Sequence, residues 1–225
     1  MPFLGQTPIP SARDVVYSKL KSQILSLELP PGAALSEKES SLAFNVSRTP
    51  VRESFLRLAQ EGLVQVLPQR GTFVSLIDPE LVEEARFMRE QLEKAVIRLA
   101  CDSFPADKLA ELRANLKEQR ESMERKDDLR LFELDESYHR TLFEGCGKLN
   151  TWAVIQQMNA HLNRTRLLRL FSDHQWNHLY DQHERMADAI EAHDAALAES
   201  TMQEHLLLSV KDQVVLREKY PHYFI

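Results

Sequence analysis

Asp135 and His139 stand four residues apart in the run FELDESYHRTLF, a spacing that sets a carboxylate and an imidazole on one face of a helix. Phe132 and Leu142 share that side, so the face turns inward. His183 and His205 are set among apolar neighbours, Met186 and Ile190 for the first, Met202 and Leu206 for the second. A turn near residues 191–195 lies midway between them, so an antiparallel helix pair would bring the two imidazoles level. The four residues together offer one oxygen and three nitrogens, a donor set suited to Zn²⁺ or another borderline divalent cation. Core histidines would account for the same spacing. His161, His174, His178, His193 and His222 have no such partner in sequence and are expected at the surface or at helix ends.

A second kind of chemistry is carried by arginines. Ser47 reads as a helix N-cap with Pro50 in the first turn, and the outward positions that follow hold Arg48, Thr49 and Arg52, with Arg57 further along. The first three fall within about one and a half turns, so they can enter a major groove together, where guanidinium groups reach base edges or phosphates. Arg70 and Gly71 sit at the tip of a hairpin formed by the β-rich runs 63–67 and 72–75.

The elements that must position these groups follow from periodicity. Val15, Val16, Leu20, Ile24 and Leu27 mark a first helix that stops before Pro30-Pro31-Gly32. Ser36 and Glu39 form a capping box for a short second helix whose apolar face is Leu42 and Ala43. Val51, Phe55, Leu56 and Leu58 are the inward face of the third. Two such helices around a tight turn, then a hairpin, predict a winged helix-turn-helix over residues 1–76. From Asp78-Pro79 onward no alternating strand pattern occurs. Six helices are expected over residues 77–225, the first presenting Leu81, Phe87, Met88, Leu92, Val96 and Leu99, and one running unbroken over about 149–171. The fold class is thus mainly α: a winged domain with a small hairpin, then an all-helical bundle.

Composition narrows the function classes. At 43% hydrophobic residues the chain can bury a sizeable core. No apolar run is long enough to span a membrane, and no signal peptide pattern opens the sequence. Cys101 and Cys146 are isolated within apolar helical patterns, as expected of free thiols in a cytoplasmic protein. The net charge of −6 divides unevenly. Residues 1–76 carry eight Lys/Arg against six Asp/Glu, and residues 77–225 carry 20 against 28. A small domain with a local basic face can therefore meet phosphates although the total is acidic.

The run LSEKESSLAFNVSRTPVRESFLRLAQEGLVQVLPQRGTFV, residues 35–74, with the upstream PPG, resembles the DNA-binding module of the GntR superfamily of bacterial regulators. That resemblance implies operator contacts at Lys38, Arg48, Arg52 and Gly71, with Thr49 beside them. Lys38 stands where some relatives have arginine, which changes the geometry available there. FELDESYHRTLF and QHERMADAIEAHDAALAESTMQEHLL, residues 132–143 and 182–207, are similar to the FCD ligand-binding domain of the FadR-type branch. In metal-containing members an Asp and three His hold the ion, and these map onto Asp135, His139, His183 and His205. Fatty-acyl-binding members lack the set, which argues against an acyl-coenzyme A effector. The resemblance further implies a homodimer reading inverted-repeat half-sites in double-stranded DNA.

A metal in the pocket makes an anionic effector reasonable, because a carboxylate can replace metal-bound water and take an arginine as a second clamp. Arg89, inward by periodicity, is the first candidate, and Arg164 and Arg166 are the second. The wording of FNVSR, PVRE, LPQRG and FELD is similar to members associated with sugar-acid metabolism, which implies a hexuronate or aldonate. Zn²⁺ is the first expectation for the metal, with Ni²⁺ or Mn²⁺ as alternatives. Two other readings stand beside this one: a regulator for which the ion itself is the signal, and a metal-dependent enzyme. For the enzyme, Glu184 next to His183 is the residue to watch, although adjacent helix positions point in different directions.

Overall fold

The computed structural model describes residues 11–173 and 176–225, the side chains at 173 and 209–212 excepted; His174 lies outside the described residues. The chain divides into two compact units, one ending at Leu76 and the other beginning at Ile77.

The first unit opens with α1 (Ala12–Leu25), capped by Ser11, whose hydroxyl accepts from the Asp14 amide. Val16, Leu20 and Ile24 of α1 are buried, whereas Val15 is exposed. After Pro31 the backbone needs a positive φ, and Gly32 supplies it at +83° while its amide donates to the Val74 carbonyl at 2.9 Å. That bond leads into a strand not expected from the sequence, β1 (Ala34–Leu35). It turns the hairpin β2 (Val64–Leu67) and β3 (Gly71–Val74) into a three-stranded antiparallel sheet of order β1-β3-β2, with Ala34 opposite Phe73. Two residues give too short a run for alternation to register.

Between them lie α2 (Glu37–Ala43) and α3 (Arg48–Gln60). Ser36 caps α2 by accepting from the Glu39 amide, and Asn45 adopts φ 52° in the turn between the helices. Ser47 occupies the N-cap of α3 but makes no side-chain capping bond. Val51, Phe55 and Leu58 are buried; Leu56 and Leu42, expected inward, are exposed, and α2 buries no side chain fully. Ser54 takes the inward place beside Phe55, its hydroxyl donating to the carbonyls of Pro50 and Arg13.

The second unit comprises α4 (Pro79–Asp102), α5 (Ala106–Arg125), α6 (Asp128–Gly145), α7 (Leu149–Met158), α8 (Ala160–Asp173), α9 (Asn177–Glu191) and α10 (Ala195–Lys219), closed by a 3₁₀ turn at Pro221–Tyr223. It has seven α-helices among the described residues rather than six, because the segment 149–171 breaks at Asn159, a residue type that disfavours helix interiors. Lys126, at φ 55°, ends α5 in a left-handed cap, and Asp127 caps α6. Both long helices needed for the His183–His205 juxtaposition are present, joined by a turn at 192–194.

α4 departs furthest from expectation. Leu81, Phe87 and Leu99 are exposed, and its buried face instead carries Val82, Ala85, Arg86, Arg89, Glu90, Glu93, Val96 and Ile97. Charged residues occupy the inward stripe because they pair there: Arg86 with Glu83 and Glu90, and Arg89 with Glu93. Below that polar stretch an apolar core formed by Ile97, Leu112, Tyr138, Phe143, Ile155, Met186 and Met202 fills the bundle. No helix among the described residues is long and apolar enough to cross a membrane.

Candidate functional site

Asp135 and His139 on α6, His183 on α9 and His205 on α10 are all buried, and each presents one donor atom within 4.8 Å of the others. The Nε2 atoms of His139 and His205 lie 3.2 Å apart, and Asp135 Oδ1 is 3.6 Å from His183 Nε2 and 3.9 Å from His205 Nε2. Two of the imidazoles are oriented by an acceptor at the other nitrogen, and the third lies against a carboxylate there. His183 Nδ1 faces Gln119 Oε1 at 3.0 Å, His205 Nδ1 faces Gln182 Oε1 at 3.1 Å, and His139 Nδ1 meets the Glu93 carboxylate. With Nδ1 carrying the proton, all three Nε2 lone pairs point at one place. Neutral imidazoles so arranged cannot satisfy one another, and His183 Nε2 is buried without a hydrogen-bond partner. The arrangement therefore fits a divalent cation, with the outer acceptors fixing ring orientation as they do around bound metals.

The electrostatics agree. Burial drives His183 down to about 3, against the pull of Asp135, and drives His205 well below the usual histidine range, so both rings are neutral donors. Burial pushes the Asp135 carboxyl up, but the Arg166 guanidinium and the three imidazoles outweigh it and hold it well below the carboxylate range. Glu93, equally buried, is held at about 2 by Arg89 and His139.

Asp135 and His205 also line a cavity of about 70 Å³ together with Arg86, Arg89, Arg166 and Arg169, its wall completed by apolar side chains that include Trp176 and Leu206. A space walled by four guanidinium groups on one side and apolar side chains on the other suits a small organic anion. Arg89 Nη2 is buried without a hydrogen-bond partner. Arg166 reaches across to Asp135 and Glu136. Arg164 is placed elsewhere, 0% exposed beside His161 Nδ1 at 3.2 Å. His161 itself is buried, accepting from the Asp78 amide, and His193 Nδ1 pairs with the Cys101 carbonyl. Glu184 lies away from the cluster, on a surface groove with Arg120 and Tyr180.

The sequence reading missed Glu93, Gln119 and Gln182 around the imidazoles, and Arg86 and Arg169 in the cavity wall. One signal was available: Glu93 is four residues after Arg89 on the same helix face. The two glutamines had none, because each orients a histidine on another helix.

In the first unit, Lys38, Arg48, Thr49, Arg52, Arg70 and Gly71 are all exposed. Arg48, Thr49 and Arg52 occupy the first turns of α3, where Arg52 makes a long exposed contact with Glu37 at 3.9 Å. Gly71 begins β3 at φ +115°, and Arg70 precedes it. Arg57 is turned away, its guanidinium 3.7 Å over the Tyr17 ring and paired with Asp14 and Glu61.

Residues 12–74 match the gntR family of bacterial regulatory proteins, and residues 84–208 match the FCD domain. The chain belongs to the FCD-containing GntR regulators. It is 40% identical, over 98% of its own length and 93% of the relative's, to an HTH-type transcriptional regulator in an unstable DNA locus of Streptomyces ambofaciens. It is 35% identical to the HTH-type transcriptional repressor RspR of Escherichia coli K12, over 88% of this chain and 87% of that one. Among solved structures, Escherichia coli McbR/YncC superposes with a TM-score of 0.75 at 22% identity, covering 94% of this chain and all of that one. A GntR regulator from Rhodococcus sp. RHA1 gives 0.77 at 22% identity, over 91% and 99%. These two show the shared fold. As a member of this family the chain is a DNA-binding transcriptional regulator rather than an enzyme, its winged helix-turn-helix followed by an FCD domain with a possible metal-chelating cluster.

Proposed function

We propose that this regulator binds operator DNA through Arg48, Thr49 and Arg52 on α3, Lys38 on α2 and the Arg70-Gly71 wing, under the control of a small organic acid bound beside a divalent cation. Asp135, His139, His183 and His205 hold the cation. The observation that carries this reading is the convergence of one carboxylate and three imidazoles, with the His183 and His205 rings fixed at Nδ1 and His183 Nε2 buried and unpartnered. One oxygen and three nitrogens favour Zn²⁺, with Ni²⁺ or Mn²⁺ also matched by the donor types. Four protein ligands would complete a tetrahedral Zn²⁺ shell, so the ion would offer a carboxylate oxygen a Lewis-acid position only by expanding its coordination or as a six-coordinate ion such as Ni²⁺ or Mn²⁺.

Arg89 and Arg166 clamp the anion from the other side. Arg89 Nη2 is an unpaired buried donor on the cavity wall, which costs stability unless a ligand accepts from it. The cavity's four arginines support a sugar acid or similar carboxylate. The protein acts as a homodimer on inverted-repeat half-sites, a geometry in which two-fold protein symmetry matches the DNA. The effector must bind the DNA-competent and DNA-incompetent states with different affinity, since only differential binding shifts their balance. This favours the effector reading over one in which the ion alone is the signal, because an ion-only sensor has no use for the arginine-lined space.

Elemental analysis of His139→Ala and His183→Ala, with operator titrations across a panel of sugar acids, tests the proposal. Metal and effector response should be lost together while effector-free DNA binding is retained. A metal-free variant that still responds normally overturns it.

A further inference from the structure

The covalent join between the two units is held closely on its second side. The Ser75 amide of the first unit donates to the Leu63 carbonyl at 3.0 Å, and the Ile77 amide of the second donates to the Tyr223 carbonyl at 2.8 Å, so Leu76 is the residue between. The Ile225 amide in turn donates to the Ile77 carbonyl at 3.1 Å, and Ile77 and Phe224 pair as a parallel bridge. Ile77 is 0% exposed and Phe224 6%, whereas Ile225 is 63% exposed. The next two residues are held as well. The Asp78 amide donates to His161 Nδ1 on α8, and the Pro79 carbonyl accepts from Gln213 Nε2 on α10 at 3.2 Å. The base of the segment 221–225 is fixed too, since Lys219 Nζ donates to Ser172 Oγ of α8 at 2.6 Å and the Tyr220 and Tyr223 rings stack 5.6 Å apart. Three elements remote in sequence thus converge on the three residues from which the winged unit is carried.

We propose that the segment 221–225 is a strap that positions the DNA-binding unit: by fixing Ile77 it confines the hinge to Leu76, with Phe224 as its anchor. The proposal rests on the reading of a homodimer on inverted-repeat half-sites and adds what holds the two winged units in range of them. Each residue released from the strap adds two soft torsions to a hinge of one residue. The orientations so opened must be given up again when the second winged unit takes its half-site. A confined hinge therefore raises the effective concentration of that unit at its half-site, and it leaves the contacts to a single half-site unchanged. A strap that only completed the bundle would not distinguish one half-site from two.

Anisotropy titrations compare an operator duplex, selected in vitro on the native chain, with a duplex that keeps one of its half-sites. Two variants of the full chain release the strap by different routes. Phe224→Ala removes the anchor. Ile225→Pro removes the N–H that donates to Ile77; Phe224 already has φ −114° and ψ 153°, the region a residue before proline adopts, and the side chain lost is exposed. In both, operator affinity should fall about tenfold while half-site affinity stays within about twofold of native, the dimer persists and the Ile77 amide exchanges faster. A folded variant with a fast-exchanging Ile77 amide and the native ratio of operator to half-site affinity overturns the proposal. Equal loss on both duplexes also overturns it and marks the strap as structural. Unchanged Ile77 exchange in both variants removes Phe224 and Ile225 as the anchor. If the native chain binds the two duplexes equally, the inverted-repeat reading fails and this proposal with it.

Discussion

Tyr138 lies flat against His183, ring centroids 4.3 Å apart and planes 12° from parallel, while its hydroxyl donates to the His183 carbonyl at 2.8 Å. One fully buried residue thus fixes both the ring and the backbone of a cluster member, and burial raises its own hydroxyl above the usual tyrosine range. Removing only the hydroxyl separates the two functions. Tyr138→Phe should cost about 1 kcal/mol in denaturant unfolding and leave Zn²⁺ affinity close to native, because the stack persists. A loss of metal binding as large as that of His183→Ala would show that the hydroxyl, not the stack, places the ring.

Gln119 is 3% exposed, and its amide is set by Asn115, whose Oδ1 accepts from Gln119 Nε2 at 2.6 Å. Oε1 is thereby turned to His183 Nδ1. Gln119→Ala should weaken Zn²⁺ binding by about 10–100-fold, the usual effect of losing an acceptor behind a ligating imidazole. Gln119→Glu, which retains an acceptor, should recover most of it. Equal affinities for the alanine and glutamate variants, read by competition with a chromophoric chelator, would exclude this role.

Stability against pH should report His161. Burial, with Arg164 adding to it, lowers this imidazole to about 4 from 6.5, and its Nδ1 accepts from the Asp78 amide only when deprotonated there. Between those values the unfolded chain binds a proton that the native ring refuses, so stability is complete above pH 6.5 and falls as the pH drops toward 4. The loss is at most about 3 kcal/mol. Comparing the native protein with His161→Gln isolates the contribution from other titrating groups, and the variant's curve should be flatter over that window. Parallel curves contradict the assignment.

DNA binding should divide between reading and positioning. Arg48→Ala or Arg52→Ala is expected to remove most operator affinity and preference, since bidentate base contacts are worth about 1–3 kcal/mol each. Both side chains are exposed, so melting temperature should not move. Arg70→Ala, or Gly71→Val at a φ of +115° that valine resists, should weaken cognate and scrambled sites alike. Anisotropy titrations at fixed salt decide it. If Arg70→Ala abolished only the cognate preference, the wing would be the reader.

Where the physics is local, the sequence alone was enough. The Ser36 capping box, the stop at Pro30-Pro31-Gly32 and the hairpin around Gly71 depend on neighbours within a few residues. For the four cluster residues spacing offered two pairings, Asp135 with His139 on one helical face and His183 with His205 about the turn at 192–194, while core histidines stood as the other account; that the two pairs meet is a matter of tertiary structure. The apolar pattern misled where burial is decided by what arrives from elsewhere. Phe87 and Leu99 would be core by hydrophobicity, yet the inward stripe of α4 belongs to Arg86, Arg89, Glu90 and Glu93. A buried charge is stable only beside a counter-charge or a polar partner, and two of those partners, Glu136 and His139, come from α6. For the same reason tertiary structure alone placed Gln119 and Gln182 behind the imidazoles and turned Arg166 to the cavity and Arg164 away from it. Hydrogen bonds and ion pairs between helices depend on rotation and crossing angle, which periodicity within one helix does not specify.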